Sequence, residues 1–409
     1  MTIDPMFLSE VETVAQKLLA YCRANDWAGY DPYDALNSKL FEVLPILESR
    51  VPRLVLTQLL KRSPVNVRRL LLIPKTQNPK AMALFLSALL KSPSLCAQQG
   101  EDLVDQLADR LVALRSADTP YWCWGYSFAW QTRTVIVKRA TPNLVCTTFV
   151  ANVLLDLYER RRRQEHLAMA VSAAEYILNE LYWSDGDAVA GFGYPLKSVR
   201  VQIHNANFLA AALFCRVYKH TGDSKFLDPA LKVARYSAEQ QLANGSWYYG
   251  EANTQRWIDN FHTGYNLGAL QQIDRYLETD EFEARICRGF DFYKTRFFRE
   301  DGTARYFHNR TYPIDIHCVA QSIITLLEFQ ELDADSVPLA RSVFRWSLDH
   351  MWDERGFFYY RILRFATIRT SYMRWSQAWM LLALSSLLSQ SASAERHPQT
   401  QDSPAFVRV

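Results

Sequence analysis

Apolar residues recur at helical spacing along most of the chain, and at five places a polar cluster opens such a run. These are Pro142-Asn143, His204-Asn205, His262, Asp315-Ile316-His317 and Tyr372-Met373-Arg374. Between Asn143 and Tyr372 the openings stand 61, 58, 53 and 57 residues apart. That interval is the length of two helices and their connections, and self-similarity of this period marks a repeat architecture. The runs alternate as inner and outer helices: 142–160 with 164–181, 205–220 with 224–241, 262–278 with 281–297, and 315–331 with 336–351, closed by 371–389. Outer-to-inner connections are long and carry Asp185-Gly186, Asn244-Gly245, Asp301-Gly302 and Arg355-Gly356, so short β hairpins are expected on one rim. No long strand and no βαβ alternation is visible. The pattern predicts an all-α fold, an (α/α)6 toroid of six or seven helical hairpins, with the polar helix starts converging on one cavity.

The first 120 residues keep the helical period but not the spacing. Helices are expected at 7–23, 51–62, 79–91 and 101–115, the third introduced by the cap and first-turn pair Asn78-Pro79. Residues 121–130 hold six aromatic side chains in no clean period, which reads as a loop or short strand pair near the cavity. The expected organisation is one domain over 1–390, irregular before 121 and regular after it. A polar, proline-containing tail at 391–409 reads as disordered.

Composition narrows the partners. A formal charge of +3 and a pI near 8.4 imply no general attraction to nucleic acid. The run Arg160 to Arg163 suits the negative end of a helix dipole. Seven scattered cysteines without a C-x-x-C pair argue against a zinc ribbon or a disulfide framework. No signal peptide or membrane span is visible, so a cytoplasmic location is expected; the oligomeric state is left open. No glycine-rich phosphate loop, dinucleotide fingerprint or metal-binding spacing appears, so neither cofactor nor metal is expected. Aromatic residues at 13% fit both helix packing and sugar stacking.

Two stretches resemble known families. Gln240-Gln241-Leu242-Ala243-Asn244-Gly245-Ser246-Trp247 is similar to the Gln-x-x-x-Gly-x-Trp motif of squalene and hopene cyclases, although their Asp-x-Asp-Asp acid motif is missing. Tyr372-Met373-Arg374-Trp375-Ser376-Gln377-Ala378-Trp379 resembles the last inner helix of carbohydrate-active toroids: polysaccharide lyases, unsaturated glucuronyl hydrolases and the helical domain of glucuronyl epimerases. Together with Pro142-Asn143-Leu144-Val145-Cys146-Thr147-Thr148 and Tyr30-Asp31-Pro32-Tyr33-Asp34-Ala35-Leu36, it is also similar to uncharacterised proteins of bacterial capsule and exopolysaccharide clusters. The resemblance implies a toroid that binds an oligosaccharide or polysaccharide, with uronate as the expected sugar.

Two chemistries fit such a rim. Lyase or epimerase chemistry removes the proton alpha to a uronate carboxylate and needs a base, an acid and groups that stabilise the developing charge. His262 or Tyr265, three apart on one helix, are the expected base, and Tyr372 the acid opposite. Arg374, His204 and Asn205 would clamp the carboxylate, with Asn207, Asn266 and His317 as further polar contacts. Trp124, Trp247, Trp257 and Trp375 are candidates for stacking on the sugar, core packing being the alternative for each. Hydrolysis instead needs two carboxyl groups, for which Asp259 and Asp315 are the candidates unless Asp185 or Asp31 takes part. Helix capping is the competing role for both aspartates. A non-catalytic polysaccharide-binding or scaffold protein and a terpenoid cyclase are the remaining alternatives.

Overall fold

The computed structural model describes residues 4–42, 49–97, 102–132, 134–186 and 189–396. Its helices are α1 (Pro5–Ala24), α2 (Arg50–Arg62), α3 (Pro79–Lys91), α4 (Ser94–Ala97), α5 (Asp102–Ala113), α6 (Leu144–Arg161), α7 (Gln164–Tyr176), α8 (His204–Thr221) and α9 (Leu227–Glu239). They continue with α10 (Asn260–Leu277), α11 (Glu283–Phe297), α12 (Ile316–Glu328), α13 (Ser336–Met351) and α14 (Ala378–Arg396), the last entered through a π turn, Met373–Gln377.

Six of these form a closed inner ring. Each packs on the next in the order α3, α6, α8, α10, α12, α14, and α14 returns to α3. The outer layer is α5, α7, α9, α11 and α13, each against the inner helix before it, while α1 packs on α14. The fold is thus an (α/α)6 toroid of six hairpins, and the sixth is assembled from the two ends of the chain. The expected irregular N-terminal hairpins resolve into one hairpin, α3 with α5, and the outer helix of the last. The tail expected from 391 is helical to Arg396, and 397–409 lie outside the described residues.

Burial follows from this layering. Inner helices meet neighbours on both sides and an outer helix behind, so α12 is buried at every position from Ile316 to Leu327, the signature of a helix with no solvent face. Outer helices keep one apolar stripe; that of α9 is Ala230, Val233, Ala234, Ser237 and Ala238. Polar groups enter the inner ring at helix starts, where unsatisfied backbone N–H groups need partners. Asn78, Asn143, Asp259 and Asp315 supply them as side-chain caps of α3, α6, α10 and α12. Three inner-to-outer turns use left-handed residues, Arg162, Gly222 and Glu278.

Two of the four expected rim hairpins form strand pairs, Tyr182–Asp185 with Val189–Phe192 and Trp352–Asp353 with Phe357–Phe358. The turns at Gly245 and Gly302 close without strands of their own. A three-stranded sheet not foreseen in the sequence links Ile314–Asp315, Arg361–Ile362 and Thr367–Ile368, all antiparallel. It places Arg361 against the start of α12. In the aromatic segment Trp130–Gln131 pairs with Ile136–Val137. No described helix is long and apolar enough to cross a membrane.

Close approach of α10 and α12 depends on Gly264. A Cβ there would lie 2.6 Å from Thr325 Oγ1 and 2.9 Å from Gln321 Cγ. Gly264→Ala is therefore expected to destabilise the fold by about 1–3 kcal/mol through overpacking. Urea unfolding checks this, and a variant as stable as the parent would show that the two helices part without cost.

Candidate active site

The first turns of the inner helices surround a cavity of about 440 Å³. The second residue of each lines it: Lys80, Val145, Asn205, Phe261, His317 and, in the π turn before α14, Arg374. The positive ends of six helices face the same space, so the cavity favours negative charge. Lys61 of α2 and aromatic faces from the rim, including Trp130, Tyr249, Trp257 and Trp375, complete the wall. Among the described residues, no aspartate or glutamate lines it.

Two hydrogen-bonded pairs stand on α10. Asp259 caps the helix through Oδ1, which accepts from the His262 backbone N–H at 3.0 Å. Its Oδ2 accepts from the Trp257 indole at 2.9 Å and lies 2.7 Å from His262 Nδ1. The carboxylate is fully buried, whereas the imidazole is 20% exposed. Asp259 thus fixes the ring and leaves Nε2 toward the cavity. The second pair crosses between helices, with Tyr265 Oη 2.7 Å from His317 Nε2. His317 lies between the rings of Phe261 at 4.5 Å and Trp379 at 4.6 Å, with Trp375 edge-on at 4.7 Å. Burial, then the neighbouring basic groups Lys80 and Arg374, hold the His317 imidazole well below its usual range, and burial pushes the Tyr265 phenol well up. Both are neutral near pH 7, a state in which a phenol–imidazole pair can give or relay a proton. His317 Nδ1 is buried without a partner.

The two basic side chains Arg374 and Lys80 of the cavity differ in their surroundings. Arg374 is 4% exposed and makes a two-pronged contact with Asp31, Nε to Oδ2 at 2.6 Å and Nη2 to Oδ1 at 2.8 Å. Lys80 is 3% exposed, with Nζ 3.9 Å from the centre of the Phe149 ring, 5.3 Å from Trp379 and 5.6 Å from Tyr265. Among the described residues no carboxylate reaches it.

Several expected site residues lie elsewhere. Asp315 is completely buried; its Oδ2 holds Arg361 at 2.8 and 2.5 Å, and Oδ1 accepts from the Trp375 indole and the His317 backbone N–H. It is a structural hub, and with Asp259 closed off by His262 and Trp257 the expected hydrolytic carboxylate pair is not assembled. Tyr372 is fully buried behind the wall, edge-on to Tyr360 and under the Arg68 guanidinium at 4.9 Å, so it is not the acid opposite. Asn207 binds the Phe192 backbone N–H, Gln202 and Ser237, tying down a rim strand. Trp124 and Trp247 are core residues whose indoles donate to the Leu111 and Ser237 carbonyls. His204 and Asn266 are buried outside the lining, and burial brings the His204 imidazole down to about 4. His262 and Tyr265 do share the cavity, but each pairs with another residue. Asp31, kept in reserve as a carboxylate, is held by Arg374, and Asp185 lies exposed on a rim strand.

No protein-family model matches the chain, and no curated protein matches it by sequence. Solved structures do match. A cellobiose 2-epimerase from Bacillus thermoamylovorans has a TM-score of 0.60 at 11% identity, covering 78% of this chain and 90% of its own. An unsaturated glucuronyl hydrolase from Streptococcus agalactiae gives 0.61 at 10% identity over 95% and 93%. A polysaccharide lyase gives 0.57 at 12% identity over 96% and 99%. These neighbours are carbohydrate-active α/α toroids, and the likeness establishes the shared fold.

Asp315→Asn separates support from chemistry. Removing the charge leaves Arg361 buried and unpaired, so a stability loss of about 3–5 kcal/mol is expected by chemical denaturation. An unchanged unfolding midpoint would contradict the structural role.

Proposed function

We propose that this protein is a carbohydrate-active enzyme that abstracts a proton from a uronate-containing saccharide, as an epimerase or a lyase. The observation that carries this reading is the composition of the cavity wall: two imidazoles and a phenol in hydrogen-bonded pairs, basic side chains, and no carboxylate among the described residues. Hydrolysis of a glycosidic bond by the usual route needs two carboxyl groups facing the scissile bond. Proton abstraction calls for a positioned base, a proton donor and a positive field where charge develops, and the wall offers groups for each.

In this reading His262 Nε2 takes the proton alpha to the carboxylate, and Asp259 stabilises the imidazolium that forms. The enolate-like charge develops toward the ring of helix N-termini. The Tyr265–His317 pair then delivers a proton, to the opposite face of the carbon in an epimerase or to the departing oxygen in a lyase. Trp257, stacked on Tyr249 at 4.5 Å, and Trp375 offer flat faces to a pyranose. The fold supports the reading, since a sugar epimerase and a polysaccharide lyase are built on the same toroid.

The test is incubation with uronate-containing oligosaccharides in deuterated water, followed by mass and ultraviolet absorbance. Deuterium gain without cleavage identifies an epimerase, and a new absorbing unsaturated product a lyase. His262→Gln is expected to lower either rate by about 10²–10⁴-fold. Cleavage without absorbance or deuterium at carbon would instead mean hydrolysis, and unaltered substrates would mean a binding protein.

A further inference from the structure

Lys80 lines the cavity but has no part in the reaction above. It sits at the second position of α3, 97% buried, in a cavity that no carboxylate among the described residues lines. A buried ammonium ordinarily has a paired anion, because an isolated charge in a low-dielectric site is costly. The groups around Lys80 offer none. Arg374 comes from the π turn, His317 from α12, Tyr265 and His262 from α10, and Cys146 from α6, whose thiol burial pushes up to about 12. Among the described residues, Asp31 is the carboxylate that acts on Lys80 from beyond the wall, and both its oxygens are held by Arg374. What remains in contact is aromatic: Phe149, Trp379 and Tyr265.

We infer that Lys80 is the anchor for the carboxylate of an acidic saccharide, and that the substrate's anion enters together with a proton taken up by the Lys80 amine. The geometry supplies both halves: an amine on the cavity floor with no internal counter-charge, and converging helix N-termini that favour an incoming anion. Burial, and then the neighbouring Arg374 charge, hold the empty-site amine well below its ordinary range. A bound carboxylate stabilises the ammonium and raises that value again. Between the two values one proton is bound with the ligand, so affinity falls about tenfold per pH unit as pH rises through that window and is level below it. The inference rests on the proposed acidic substrate but not on turnover.

Titration calorimetry with D-glucuronate, and D-glucose as its uncharged counterpart, tests it in buffers of different ionisation heat between pH 6 and 9. The expected result is binding of glucuronate at least tenfold tighter than glucose, with close to one proton taken up in the window. Lys80→Met is expected to abolish both the preference and the uptake. Lys80→Arg, permanently charged, is expected to keep the preference without the uptake, which a merely structural lysine would not produce. Circular dichroism confirms that both variants fold. Equal affinity for the two sugars, no glucuronate binding, heat independent of buffer, or uptake that persists in Lys80→Arg each overturns the inference. Anion binding with uptake but no deuterium exchange on any substrate would leave the Lys80 site standing and remove the catalytic reading; exchange unimpaired by Lys80→Met would do the reverse.

Discussion

The contact between Asp31 and Arg374 joins residues 343 positions apart and closes the toroid. A ring built from a linear chain must seal one seam between its ends. Here α1 supplies the outer helix for α14, the bridge between Tyr30 and Tyr372 aligns the two segments, and the ion pair fixes the register. Gly29 permits the approach, since a Cβ there would meet Met373 Cβ at 2.6 Å. Burying both charges carries a desolvation cost, offset by the two-pronged geometry and by Tyr126, Phe128 and Trp375 around the guanidinium at 5.0 to 5.4 Å. The seam has a consequence for the cavity: the arginine best shaped to hold a carboxylate already holds one.

Capping and cavity lining are two faces of the same helix starts. A cap residue turns its side chain back onto the first free N–H groups, and the residue one or two positions later points into the ring. At α12 Asp315 faces outward to Arg361 while His317 faces Tyr265. At α10 the two roles meet, because the cap Asp259 also grips the imidazole of His262. One carboxylate thereby ends a helix, orients a ring and stays outside the cavity lining.

This geometry explains what could be read from the chain beforehand. Helix positions and their alternation followed from apolar spacing, because every inner helix is sealed by an outer one and the pattern is strict. The polar openings marked the rim, and Asn205, His262, His317 and Arg374 within them line the cavity, whereas Asp315 and Tyr372 are cap positions outside its lining. His262 was legible because it lies within reach of its own cap. The Tyr265–His317 pair was not, since it depends on the distance between two helices, set in part by Gly264 and invisible to spacing within either. Lys80 was hidden for another reason. The inserted segment before α3 and the long aromatic connection after α5 break the period, so its equivalence to Asn205 and His317 emerges only when the ring closes.

The electrostatic state of the cavity follows from these constraints taken together. Carboxylates near it are turned away, Asp31 by the seam, Asp259 by its imidazole and Asp315 by Arg361. Histidine and phenol are kept neutral by burial, so they can exchange protons rather than carry fixed charge. The helix ends add a positive field that no lining group cancels. A neutral sugar would leave that field unanswered, whereas the anionic substrate proposed above would answer it. Binding and chemistry would then draw on a single feature, a cavity whose described lining holds no negative charge.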